Sequence, residues 1–404
     1  MSRPRYEIVD RIDVGGMAEV FRGKAVSLDG YEKQVAIKRV LPQLAADAKF
    51  VNMFLDEARL SLALSHANIV SVFDVSRAGE TYFIVMEYVD GANLKTLMEL
   101  ARASQRPFPT ALAVQIGIEV CKALAYAHER KDSEGRMLRI VHRDVSPPNI
   151  LISREGEVKI TDFGLAKAAS QMESTDPGFV KGKYGYLSPE SADGQEVDGR
   201  SDIFSLGIIL WELLAGRRLF QGDSDLETLQ RVKEARIPGL APLCADLHPE
   251  LEAIVRRALS ADRDRRYATA REFGTELNRF LFAAGLSVDS YEVAKYLAFA
   301  LHPDTATMQV PAVMRVRPLP SMTTVALELE TAEPAVRAAA LMATGAQAAP
   351  GAQPLAAPPD PATQIAATPV ANRQRRWVRP FLLLLLLAAC MAAAYYYGLE
   401  SASR

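Results

Sequence analysis

The sequence predicts an α+β domain followed by an unstructured linker and one hydrophobic helix, and three observations predict it. Residues Tyr6 to about Leu301 mix strand-like and helix-like runs separated by ordinary turn residues. From Ala332 to Ala371 the composition shifts to Ala, Pro, Gln and Thr, which offers too little apolar surface to offset chain entropy. Phe381 to Leu399 then carries no charge. With 404 residues, 49% of them hydrophobic and 24% charged, the chain has the composition of a folded core rather than of a wholly disordered polymer. Its net charge of −2 argues against a general nucleic-acid binder, so no nucleic acid is expected as a partner. Cys121, Cys244 and Cys390 lie far apart, without metal-ligand or disulfide spacing, which points to a reducing compartment for the folded part.

Taken in order, Ile12 to Phe21 places β-branched and aromatic residues around Gly15-Gly16 and leads to Val35-Ala36-Ile37-Lys38. The pattern reads as a hairpin whose turn can approach a phosphate chain closely, or as a plain hairpin. Lys38 adds an ammonium on the strand beside it. Phe50, Phe54, Glu57 and Leu60 follow with helical spacing; Glu57 belongs either to a solvated face or to a carboxylate that fixes Lys38. Phe83 to Met86 is an apolar strand ending in the polar turn Glu87 to Gly91. Ile140 to Ile152 encloses His142-Arg143-Asp144 and Asn149, and Val158 to Gly164 encloses Asp162-Phe163-Gly164. Two strands flank these loops and present Asp144, Asn149 and Asp162. One acid of such a set can accept a hydroxyl proton, while a carboxylate and an amide oxygen can hold a hard cation such as Mg²⁺. Each piece alone also fits a turn with a capping Asp; the ordered set does not fit chance.

With these motifs in this order the chain resembles the protein-kinase family, in particular the bacterial Ser/Thr kinases whose glycine loop reads Gly-Gly-Met-x-Glu-Val. The resemblance implies a two-lobed fold over residues 6–283, with a β-rich N-lobe over about 6–88 and a helical C-lobe over 89–283, and ATP in the cleft. It implies that Ile12, Asp13, Val14, Gly15, Gly16, Met17, Ala18, Glu19 and Val20 form the loop covering the ATP phosphates. Lys38 then holds the phosphates, with Glu57 as its partner. Met86 is the gatekeeper, Glu87 and Val89 read adenine, Ala36, Val20 and Leu151 sandwich the ring, and Asn93 sits near the ribose. Asp144 is the catalytic base, and Asn149 and Asp162 bind Mg²⁺, with Mn²⁺ as an alternative ion. Ser188-Pro189-Glu190 closes the activation segment, Asp202 is the buried helix aspartate, and Arg266 pairs with Glu190. His66 and His142 are structural, His142 packing near Phe163.

Departures from the family pattern are expected to matter. Asp13 and Ala18 replace loop glycines, and Phe204 replaces a tryptophan. Ser146 stands where a lysine is usual and Lys183 where a threonine is usual. The two changes are either independent or a trade in which Lys183 serves the transferred phosphate. Glu129 to Arg136 is a polar insertion, read as a surface loop, with a docking role as the rival reading. Arg143 suggests control by activation-loop phosphorylation, with Ser170, Ser174 and Thr175 as candidate phosphosites.

Behind the kinase-like part the expectation is a helical extension over 284–302, a flexible linker over 303–376, a transmembrane helix over 379–399 and a short external tail over 400–404. At 1.5 Å per residue the uncharged run spans roughly 28 Å, close to the hydrocarbon thickness of a bilayer. Arg373, Arg375, Arg376 and Arg379 precede it, so positive-inside bias places the N-terminal part in the cytoplasm, on a single-pass plasma (inner) membrane anchor. Small residues Ala388, Ala389, Ala392 and Ala393 permit close helix contact and with it a homodimer. The expected activity is transfer of the ATP γ-phosphoryl group to Ser or Thr hydroxyls of protein substrates. The rivals are a pseudokinase serving as a membrane-tethered scaffold and, disfavoured by the activation segment, a kinase of small molecules.

Overall fold

The computed structural model describes residues 5–302 apart from 16, 27–29, 79–80, 164–183 and 245–246. The smaller lobe is an antiparallel sheet in the order β1-β2-β3-β5-β4, built from β1 (Arg5–Val14), β2 (Ala18–Val26), β3 (Glu32–Val40), β4 (Val72–Ala78) and β5 (Thr81–Glu87). β3 runs through the middle of this sheet, and Val35, Ala36, Ile37 and Val40 are buried along it. A strand covered on both faces reads as the continuous apolar run seen in the sequence. One helix, α1 (Ala48–Leu62), starts at Asp47, whose side chain accepts from the Lys49 N–H. It turns Phe54, Glu57, Ala58 and Ser61 inward, and Phe54 and Ala58 pack with Ala18, Val40 and Ile84 of the sheet.

After β5 the chain crosses to the larger lobe through Tyr88 to Asp90 and forms β6 (Gly91–Asn93), paired with β7 (Ile150–Ser153) and β8 (Val158–Ile160) in a small sheet. Gly91 must be glycine: a Cβ there would overlap the Ile152 carbonyl. The helices follow as α2 (Leu94–Ala103), α3 (Thr110–His128), α4 (Pro189–Ala192), α5 (Gly199–Ala215), α6 (Asp225–Glu234), α7 (Pro249–Ala258), α8 (Ala270–Ala283) and α9 (Ser290–Leu301). Asn93, Ser188, Asp198, Ser224, Thr269 and Asp289 cap their N-termini, each accepting a backbone N–H of the first turn.

Among the described residues, α3 is the helix long and apolar enough to cross a membrane, yet two thirds of it is buried in the larger lobe. It is the core helix, packed against α5 and α8. The hydrophobic segment at 379–399, the linker, the tail, Lys183, Gly16, Ser170, Ser174 and Thr175 lie outside the described residues.

Candidate active site

Each site residue sits where local structure puts a side chain at the cleft. Lys38 lies on the central strand β3, 5% exposed. Its Nζ donates to Glu57 Oε1 of α1 at 2.8 Å and to Asp162 Oδ1, in the loop after β8, at 2.8 Å. Burial alone would lower the lysine, but the carboxylates of Asp162 and Glu57 outweigh it and hold the ammonium well above its usual range. Glu57 is 4% exposed and its Oε2 is buried without a hydrogen-bond partner. Burial therefore pushes Glu57 up to about 7, against the pull of Lys38. Asp162 adopts a left-handed backbone, φ 65°, a conformation that a non-glycine residue holds only where its surroundings enforce it.

The loop carrying Asp144 is pinned from beneath. Asp202, 1% exposed in the first turn of α5, accepts the backbone N–H of Arg143 through Oδ1 and that of His142 through Oδ2, each at 2.8 Å. The same Oδ2 is bonded to His128 Nε2 at 2.7 Å. Burial opposes the charge of Asp202, but these partners hold its carboxyl below the usual range. Arg143 is forced to φ 68°. The buried His142 ring lies 4.4 Å from that of Phe163, accepts the Asp144 N–H at Nδ1 and donates from Nε2 to Thr161 O. Burial lowers the imidazole, which is neutral in this arrangement. Asn149 Nδ2 donates to Asp144 O at 2.9 Å and to Asp144 Oδ2 at 3.0 Å. Ser146 Oγ stands 3.5 Å from Asp144 Oδ1.

An apolar cluster borders these groups. Ala36, Val70 and Met86 form a buried cluster, with Val20, Tyr88, Val89 and Leu151 packed against it from both lobes. The structure thus gathers Ala36, Val20, Leu151, Met86 and Val89, which the family resemblance placed around adenine. Glu87 begins the crossing; its side chain is held by Lys159 Nζ at 3.0 Å and by the Ser71 N–H. Asn93 spends its Oδ1 on the N–H and hydroxyl of Thr96. In the β1–β2 hairpin, Gly15 N donates to Ala18 O at 2.8 Å and closes the turn. Ile12, Asp13 and Val14 belong to β1, where Asp13 Oδ1 accepts the Val14 N–H. Glu19 is taken up by Arg39 and Arg11. Met17 O accepts the Leu41 N–H, tying the turn to the end of β3.

For a divalent cation the donor chemistry fits. Asp162 supplies carboxylate oxygens, and Asn149, with its amide nitrogen committed to Asp144, has its amide oxygen left as a ligand atom. One carboxylate and one amide oxygen, completed by phosphate oxygens and water, is a donor set that Mg²⁺ accepts. Among the described residues there is no separate cluster of three or more His, Cys, Asp or Glu for a metal.

Several supporting residues carried no sequence signal. Lys159, 8% exposed, joins Glu87 to Ala67 O. Glu212, fully buried on α5, accepts the Tyr186 hydroxyl and the Leu219 N–H, and Arg218 bonds the same hydroxyl. Arg266 and Glu190, which the family resemblance did pair, meet in a bidentate contact of 2.7 Å on both arms.

A sheet with one helix over a helical lobe, and a lysine bridged to two acids across the cleft between them, define a nucleotide-dependent phosphotransferase architecture. Residues 6–275 match the protein kinase domain family, and the chain belongs to it. It is 41% identical over 276 residues to the tyrosine-protein kinase MasK of Myxococcus xanthus, covering 68% of this chain and 43% of that protein. It is 36% identical over 273 residues to the serine/threonine-protein kinase PrkC of Bacillus subtilis, covering 68% and 40%. The crystal structure of the Mycobacterium tuberculosis PknI kinase domain superposes with a TM-score of 0.51 at 26% identity, over 68% of this chain and 95% of that one. The chain spans less than half the length of the curated relatives it matches.

Proposed function

We propose that the chain is an ATP-dependent protein kinase of signal transduction, which moves the γ-phosphoryl group of ATP to a serine or threonine hydroxyl of a protein. The observation that carries this reading is Lys38 Nζ, bonded at 2.8 Å to an acid on each side of the cleft. That bridge closes α1 onto the sheet and aims a cation where phosphates would lie. Mg²⁺, or Mn²⁺ in its place, held by Asp162 and Asn149 would neutralise phosphate charge when bound. Asp144 orients the acceptor hydroxyl and takes its proton as the new P–O bond forms and the bond to the β-phosphate oxygen breaks. Ser146 lies beside Asp144, and Lys183 is the residue we assign to the developing phosphoryl charge. The pseudokinase reading is disfavoured by the presence of Lys38, Asp144, Asn149 and Asp162 together.

Serine or threonine as acceptor is supported by relatives named as serine/threonine kinases, and the name of MasK keeps tyrosine as the second reading. The anchor proposed from Phe381–Leu399 and the arginines before it holds the kinase part at the cytoplasmic face of the inner membrane. The test is incubation of the full-length chain with γ-labelled ATP and Mg²⁺, followed by phosphoamino-acid analysis. Phosphoserine or phosphothreonine is expected. Phosphotyrosine alone would transfer the assignment to the other acceptor class, and no label would overturn the reading.

A further inference from the structure

Away from the cleft, a trench of about 750 Å³ runs along the larger lobe between α3 and α8. The two helices approach closely because residue 274 is glycine; a Cβ there would lie 2.9 Å from Cys121 Cβ. Ile118, Cys121 and Ala125 of α3 give the trench an apolar floor, and Arg271 and Thr275 of α8 line its other wall. From Gln115 to Tyr126 it follows α3 for about 17 Å, the length of a short peptide.

One end of the trench is built by the insertion at Glu129 to Arg136. This stretch is an ordered turn: Leu138 N donates to Arg130 O, Lys131 bridges Met137, and Asp132 gathers the N–H groups of Glu134 and Arg136 with the Arg136 guanidinium. Its effect is to hold Arg130 and Lys131 at the trench mouth. Charge at the rim is unbalanced there. Lys122 is paired with Glu119 and Arg271 with Glu129, whereas Arg130 and Lys131, both exposed, have no carboxylate partner among the described residues. Arg130 stands over the Tyr126 ring at 5.5 Å. Met137 and Leu138 of the same turn expose apolar surface, at 46% and 41%.

We propose that this trench docks an acidic peptide segment of a protein partner, with carboxylates on Arg130 and Lys131 and an apolar side chain over Ile118 and Ala125. Two cations without a carboxylate partner among the described residues, at one end of a trench with mostly polar walls over a narrow apolar floor, match a short peptide that mixes acid and apolar residues. A bilayer surface is flat and does not enter a furrow between two helices. Nucleic acid would demand a longer row of cations at phosphate spacing. The site shares no residue with the proposed phosphoryl-transfer cleft, so its occupancy is measured by binding alone.

The test uses the full-length chain and fluorescence anisotropy of a labelled peptide of about twelve residues, alternating Glu and Leu and able to span the trench. A Lys/Leu peptide and vesicles containing phosphatidylserine are the comparison probes. Saturable binding of the Glu/Leu peptide and not of the Lys/Leu peptide is expected, weakened at least ~10-fold by Arg130→Glu with Lys131→Glu while ATP binding, and vesicle association through the proposed anchor, are unchanged. Thr275→Trp, which fills the trench without changing its charge, should weaken binding to a similar extent. No saturable binding, binding indifferent to charge reversal, or loss confined to the charge variants would overturn the proposal. So would vesicle binding that the same charge variants abolish, since it would make the patch a lipid contact.

Discussion

Lys38 is the residue on which the cleft turns, and its neighbours set how it responds to change. Replacing it by Met removes the cation that bridges Glu57 and Asp162 and offsets their repulsion; the buried Glu57 then takes up a proton, so the fold persists. Transfer by Lys38→Met is expected to fall at least ~100-fold with a melting temperature within a few degrees of wild type; unfolding at the wild-type assay temperature would contradict this. Glu57 adds a pH dependence. Its carboxyl is raised from 4.5 to about 7, so it is charged above that pH and neutral below, and protonation dissolves its pairing with Lys38. The kcat/KM for ATP should therefore decline as pH falls through about 7, and Glu57→Gln, already slow, should lack that limb. A wild-type profile flat well below neutrality would contradict the assignment. Lys38, Asp144, Asn149 and Asp162 were legible because each falls in a short motif at fixed offsets, whereas Glu57 on its helix also fitted a solvated face and was paired with Lys38 only through the family resemblance. His128 was not: its partner Asp202 is 74 residues away and no local pattern links them. Lys159 was hidden in the same way, since Val158-Lys159-Ile160 reads only as a strand with a polar middle.

At the level of elements, the larger lobe is fastened by contacts between loops and helices remote in sequence. Arg266, 2% exposed, donates to both oxygens of Glu190 and places its guanidinium 4.7 Å from the Phe204 ring. Arg266→Met would leave Glu190 buried without its cation, a loss of about 3–5 kcal/mol, read by chemical denaturation; the double change to Met and Gln should recover part of it. A loss below about 1 kcal/mol would show that the pair is replaceable by water. Gly156 fixes another joint. It turns β7 into β8 at φ 82°, and a side chain there would overlap the Ser290 carbonyl at the start of α9. Gly156→Val should detach α9 and raise hydrogen exchange in Ser290–Leu301 while β7 and β8 stay protected. The strands of the smaller lobe were readable from β-branched runs and the helices from apolar spacing. That α9 would rest on α2 and β7, with Tyr296 against Phe108 at 4.9 Å, was not. Such a contact follows from where the strands end in space, and no periodicity encodes it.

Across the whole molecule, the proposed arrangement is a kinase domain tethered by its C-terminal hydrophobic segment. Full-length protein is expected to sediment with membranes and resist carbonate extraction, whereas a chain ending at Ala371 stays in the supernatant; equal partitioning of the two would remove the anchor from the account. The fold class and the kinase identity were legible from ordered motifs, because the family the chain resembles keeps these few groups in this order along the chain. The insertion at Glu129 to Arg136 was legible only as polar surface, since its place at the mouth of a trench depends on how α3 and α8 meet. The most direct measurement is the single-turnover rate of γ-phosphoryl transfer to protein by wild type and by Asp144→Asn, at ATP concentrations that saturate both. Wild type should transfer label and Asp144→Asn should be slower by ~10²–10⁴-fold at unchanged ATP affinity. Equal rates, or no transfer by the wild-type chain with Mg²⁺ present, would contradict a kinase that works through Asp144.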